Sequence, residues 1–263
     1  MGSATREALA TAVDALNAVG SIDLATGEQL LEVSRIIAGS PQLRTALADK
    51  SEDGSDKKGI IGSLFGSFTP TAQSVLLAAV EGNWSTEDEL VAGIEELGIR
   101  AIAQSAPSGT SIENDLFEFE RAVRSDADLE LAVGSKLGST EAKVALVETL
   151  LRGKASEQTV AIVRQLVQAP RERRIGELIR FATKVVADQA GLAVATVTSA
   201  TRIAPDQLER LSTGLAKQYG RSLRINQIID PAVLGGIRVQ IGDDVIDGSI
   251  ATKLNDLRLQ LAR

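Results

Sequence analysis

Paired carboxylates, glycine turns and an arginine cluster are the residues of this chain whose types and spacing could do chemistry. Glu95-Glu96 and Asp243-Asp244 each set two acids side by side, the minimum for general acid–base work. The first pair falls on an amphipathic helix and the second in a hairpin turn, so both read as solvated surface. Leu234-Gly235-Gly236 lacks the G-x-G-x-x-G spacing and does not open a helix, which argues against a nucleotide loop. Asp247 reads as a turn or capping residue rather than a metal ligand. Arg171-Glu172-Arg173-Arg174 follows Pro170 at the start of a helix. Two readings stay open for it: a loop kept soluble by charge, or an electrostatic contact for an acidic partner helix. The sequence has no cysteine and no histidine. Disulfides, thiolate metal sites, a cysteine nucleophile and the commonest general base are thereby excluded. No catalytic constellation forms, and the expectation is a non-enzyme with no cofactor and no metal.

The elements that would position a binding surface come next. The 263 residues allow one to three domains with a sizeable core. A net charge of −7 argues against a general nucleic-acid binder. The charge is uneven: residues 1–105 hold 7 basic and 15 acidic side chains, whereas 191–263 hold 9 and 7. An acidic first third and a mildly basic last third predict different partners at the two ends. No run approaches 18 apolar residues and the first residues lack the apolar core of a signal peptide, which predicts a soluble intracellular protein.

Helical periodicity dominates the first 190 residues. Over 4–19, Ala8, Ala12, Leu16 and Val19 share one face. Further helices are expected over 26–38, from Pro41, over 60–65, 71–80 and 86–103, with 51–59 a polar loop and 105–111 a Ser/Gly/Pro linker. Trp84, between two of these helices, is either an interface anchor or a packing plug. After the linker the pattern returns at an offset of 86: Leu43 meets Leu129, Ile61 meets Val147, Phe65 meets Leu151, and Leu76 meets Ile162. The second copy shows no obvious equivalent of the helix at 4–19. The chain thus reads as helical copies at 1–105 and 112–190 and a small α/β domain at 191–263. The fold class is α+β and mostly helical.

The last segment is the most instructive. GLAVATVTSA over 191–200 reads as a strand, Pro205 to Tyr219 as a helix stopped by Gly220, and Leu223 to Ile229 as a second strand of two-residue period. Asp230-Pro231 breaks that strand; Ile237, Val239 and Ile241 form another, and Gly242-Asp243-Asp244 turns it into a hairpin with Val245-Ile246. Ser249 caps a closing helix with Ile250, Leu254, Leu257 and Leu261 on one face.

A strand ending in Ile229-Asp230, then Pro-x-x-x-Gly-Gly through Gly235-Gly236, a hairpin turning at Gly242, and Ile246-Asp247-Gly248-Ser249 before a helix resembles the C-terminal domain of the ATP synthase delta subunit family. The mitochondrial members are the oligomycin-sensitivity-conferring proteins. The likeness covers about 112–263, and the long form with a duplicated bundle resembles actinobacterial members. In this likeness Asp230, Gly235, Gly236, Gly242, Asp247 and Gly248 are structural motif residues. It implies a peripheral-stalk subunit of a rotary proton-translocating ATP synthase, linking the head to the stator at the cytoplasmic face of a bacterial membrane. Membrane association would come only through the complex. Implied partners are the N-terminal helices of the alpha subunits and the ends of the b subunits. Ala8, Ala12, Leu16, Val19 and Trp84 are the expected alpha-facing residues, and Ile250, Leu254 and Leu257 the expected b-facing ones. The rival readings are a free-standing helical scaffold and a small ligand-binding α/β regulator.

Overall fold

The computed structural model describes residues 2–49, 54–134, 138–220, 222–233, 235–241 and 244–248. The chain divides into two compact units, Met1–Val186 and Ala187–Arg263. The described residues form twelve helices and a four-stranded sheet, a mostly helical α+β fold.

The first unit opens with α1 (Ser3–Asn17), α2 (Leu24–Gly39), α3 (Pro41–Ala48), α4 (Gly54–Phe65), α5 (Pro70–Val80) and α6 (Glu87–Gln104). Local chemistry sets the starts. Ser40 and Thr69 accept from Leu43 and Ala72 ahead of Pro41 and Pro70, and proline costs nothing at a position whose N–H has no helical partner. The helix α4 begins at Gly54, so residues 54–59 are helical where a loop was expected; Lys57, on its inner face, donates to the Val80 carbonyl at 2.8 Å.

The cap of α2 carries a pH prediction. Asp23 accepts from the Thr26 hydroxyl at 2.7 Å and its backbone N–H at 2.8 Å. The Thr26 side chain first, and then its N–H, hold the Asp23 carboxyl below its ordinary value. A depressed folded value stabilises above the unfolded one and is lost as pH falls through the folded one. Asp23→Ala therefore costs about 1 kcal/mol at neutral pH, and the deficit closes as pH drops below the ordinary carboxylate range. Urea unfolding of both proteins across that range measures it.

The unit continues with α7 (Ile112–Ser125), α8 (Ala127–Gly134), α9 (Thr140–Leu151), α10 (Glu157–Gln168) and α11 (Ile175–Gln189). The start of α8 lies 86 residues after that of α3 (127 − 41) and α9 the same distance after α4 (140 − 54). The same shift takes α2, α5 and α6 onto α7, α10 and α11 to within two residues at either end. It also takes α1 to 89–103, inside α6. The helix that the second copy lacked on sequence is therefore α6, last of the first set and first of the second.

Its burial explains how one helix serves twice. Every residue from Leu90 to Ile102 except Ala92 is buried. Leu90, Ile94, Leu97 and Ala101, at i, i+4, i+7 and i+11, enter the first core, with Leu30, Phe65 and Leu76. Ile99 and Ile102 enter the second, with Leu116, Ile162 and Leu166. A helix buried on all sides belongs between two layers rather than on a surface.

In the second unit, β1 (Leu192–Ser199) is followed by α12 (Pro205–Tyr219), β2 (Ser222–Ile229), β3 (Ile237–Ile241) and β4 (Asp244–Asp247). The strand order is β2-β1-β3-β4, with β1 parallel to β2 and antiparallel to β3. Gly220 ends α12 at φ 67°, the left-handed conformation that closes a helix without Cβ strain. Ala195, Val197, Leu215, Val239 and Ile241 form the core. On β2 Leu223 and Ile225 pack half-buried against that core, as the alternation expects, whereas Asn226 is buried and Ile229, at the strand's end, is exposed.

Candidate partner-binding site

The expected alpha-facing stripe is internal. Ala8, Ala12 and Leu16 are buried in the first core, and Val19, just past α1, is half-buried against it. Under the offset, 12 and 16 correspond to Gly98 and Ile102, which pack toward the second core, while 8 corresponds to Ile94, which packs in the first. Small residues do permit close helix approach here, but at Gly27 and Gly98, where α2 meets α6. Trp84 is a packing plug. It is 4% exposed, its Nε1 donates to the Ala79 carbonyl at 2.6 Å, and its ring covers Gly93.

The sheet motif does structural work. The N–H of Asp230 donates to the Ser199 carbonyl at 2.9 Å, and its Oδ1 accepts from Ala232 N at 2.9 Å, which closes the turn after β2. Gly235 and Gly236 hold φ 72° and 78°, open to glycine at no steric cost. Gly248 N donates to the Ile237 carbonyl at 2.9 Å, and Asp247 sits opposite Arg238 on β3. Gly242, Ile250, Leu254 and Leu257 lie outside the described residues.

The glutamate pair and the arginine cluster meet at one site, the glutamates buried and Arg171 and Arg173 partly exposed. Glu95 is 0% exposed and Glu96 is buried beside it. Glu96 Oε1 accepts from Arg100 at 2.7 Å, one turn along α6. Glu95 Oε2 accepts from Arg173 at 2.9 Å and also from Arg171, while Oε1 accepts from Gln165 Nε2 at 3.3 Å. The acidic helix that Arg171 and Arg173 contact belongs to their own chain. Arg35 of α2 donates to Gln165, and burial pushes its guanidinium below the ordinary value while Glu32 pulls the other way. Glu95 continues the stripe of Ile99 and Ile102 toward the second core (i, i+4, i+7), so the solvated-surface expectation is corrected. A helix enclosed on all sides has no solvent face for an acid to occupy.

Exposed apolar residues mark the surface of the first unit. Leu131 on α8 is 68% exposed and Leu64 on α4 56%. Leu64 edges a shallow depression with Ile60, Ser63 and Asp56. No group of His, Cys, Asp and Glu among the described residues could hold a metal. No helix among them is long and apolar enough to cross a membrane.

The sequence model of the ATP synthase delta (OSCP) subunit matches residues 99–261. The chain belongs to the ATP synthase delta (OSCP) subunit family. That match begins inside α6, so it takes in only the last six residues of the shared helix (99–104), with the second helical set and the sheet unit. The ATP synthase subunit delta of Leifsonia xyli subsp. xyli is 51% identical over 263 residues, covering all of both chains. That of Streptomyces coelicolor is 37% identical over 270 residues, covering 100% of this chain and 98% of its own. The first helical set is thus shared with these delta subunits. A chain in the cryo-EM structure of the Toxoplasma gondii mitochondrial ATP synthase hexamer is 19% identical with a TM-score of 0.40, over 63% of this chain and 95% of its own. That likeness is too loose to fix any detail here.

Proposed function

We propose that this delta-family chain is a non-catalytic peripheral-stalk subunit that ties the catalytic head of the ATP synthase to its membrane stator. The observation that carries this is the full-length match to delta subunits at 51% identity. The rotor applies torque to the head, and a tether must hold by contact area and slow dissociation rather than by chemistry. The helical unit receives N-terminal helices of alpha subunits, whose apolar anchors enter between helices. The closing segment with Ile250, Leu254 and Leu257 holds the ends of the b subunits. The chain works at the cytoplasmic face of the membrane, held there through the complex.

The head contact is assigned to the second helical set, because the family match covers that set. A contact through Ala8, Ala12 and Leu16 would require α1 to leave its place against α5 and α6. Calorimetric titration of the full chain with a peptide of the cognate alpha N-terminal helix tests the assignment. The expected Kd is about 1 μM or tighter, near −8 kcal/mol. Leu131→Asp on the second set weakens binding about tenfold, whereas Leu64→Asp on the first leaves it unchanged. The reverse pattern moves the contact to the first set. No binding by the full chain rejects the adaptor reading.

A further inference from the structure

We infer that Glu95, Arg171 and Arg173 form a lock that pins the turn before α11 to the shared helix α6. It sets the position of the helix through which the chain leaves the helical unit. The inference rests on this chain's geometry and holds whatever its partners are.

Glu95 is a fully buried carboxylate at the head of the stripe that faces the second core. A buried charge persists only where it is paired and hydrogen-bonded. Both arginines bind the same oxygen, Oε2, and Gln165 occupies the other. Between these two side chains the chain turns sharply. It does so through left-handed backbone at Arg171 (φ 44°) and Glu172 (φ 63°), neither of which is glycine. Non-glycine residues hold that conformation when their surroundings impose it. Arg173 then lies over the ring of Phe181 on α11, 5.3 Å from its centre, so one guanidinium touches both the shared helix and the exit helix.

The first helical set has a fastening at the same place, made of different groups. Shifted by 86, Arg171 corresponds to Ser85, in the turn before α6. Ser85 N donates to Thr5 Oγ1 at 3.1 Å, and the Thr5 hydroxyl bonds Ser85 Oγ at 2.9 Å and Glu89. In both sets the turn before the sixth helix is therefore tied to the first helix. One tie uses a hydroxyl at the free end of the tandem, the other two ion pairs at its interior joint. An ion pair around a buried carboxylate is weak evidence of net stability, so the role inferred for this one is to hold one arrangement.

Hydrogen exchange on the full chain tests this. In Glu95→Gln, amides over 171–176 and the first turn of α11 exchange about tenfold faster or more, while those of α2 and α5 change less than about twofold. Arg171→Gly is the second variant, because glycine accepts the left-handed backbone and only the ion pair is lost. It accelerates the same amides at least about threefold, and Thr5→Val leaves them unchanged while loosening 82–86. Unchanged exchange over 171–176 in Arg171→Gly overturns the lock, whether or not Glu95→Gln folds. So does an equal acceleration everywhere in that variant.

Discussion

Gly27→Ala destabilises the helical unit by about 2 kcal/mol, although alanine is the better helix former by about 1 kcal/mol. The contacts decide the sign. A Cβ on Gly27 would stand 2.4 Å from Ile102 Cγ1, 2.8 Å from the Ile102 backbone nitrogen and 3.0 Å from the Gly98 carbonyl oxygen. The Ile102 side chain can rotate, but the two backbone atoms recede only if α2 and α6 move apart. Overpacking of this kind costs about 3 kcal/mol, the upper part of its usual range, and outweighs the propensity gain. Gly59→Ala is the control. Gly59 lies exposed on α4 with nothing within 4 Å of its would-be Cβ, so that change stabilises by about 0.5 to 1 kcal/mol. Urea midpoints of the three proteins give both numbers. A stabilised Gly27→Ala would mean that α2 and α6 are not in close contact.

Leu166→Ala has the larger effect, about 3 kcal/mol, and the place where it is felt matters more than its size. Leu166 is fully buried in the second core, and truncations of this kind cost about 2 to 5 kcal/mol. Set against the roughly 5 to 15 kcal/mol that holds a domain folded, that is a large share. Trp84 reports on the first core, where it is the only tryptophan of the chain. Since α6 supplies Leu97 to one core and Ile99 to the other, losing the second core strips one side of the helix on which the first is built. The Trp84 transition therefore moves to lower urea with Leu166→Ala. If the tryptophan signal stayed fixed while the second set unfolded early, the helix would not be shared in any energetic sense.

Most elements were legible because their signals are local. Pro41 behind Ser40, Pro205, and Gly220 at a helix end declare boundaries whatever surrounds them, and the offset of 86 read from the sequence also relates the helix starts of the two sets. The sheet motif likewise carried the family. The shared helix is hidden in the sequence because the offset that locates it lands one copy on top of the other, on residues that read as the end of the first set. The consequences reach both sites. An α6 taken as amphipathic leaves Glu95-Glu96 in solvent, and Arg171 to Arg174 without a partner. An α1 taken as an outer helix leaves its alanines free for a second protein. One signal points the other way: apolar residues at Leu90, Val91, Ile94, Leu97, Ile99 and Ile102 spread over about 200° of the helix, wider than the stripe a surface helix needs. The pairing of Glu95 with Arg171 and Arg173, more than seventy residues on, had no local trace at all.

The shared helix gives the proposed tether its mechanical sense, since two bundles built on one helix cannot swing independently under torque. The most direct test is a urea titration of the unaltered full chain, read at Trp84 by fluorescence and at the α9 and α10 amides by hydrogen exchange. The shared helix predicts one midpoint common to both signals. Two separated midpoints, with one helical set surviving the loss of the other, would contradict it.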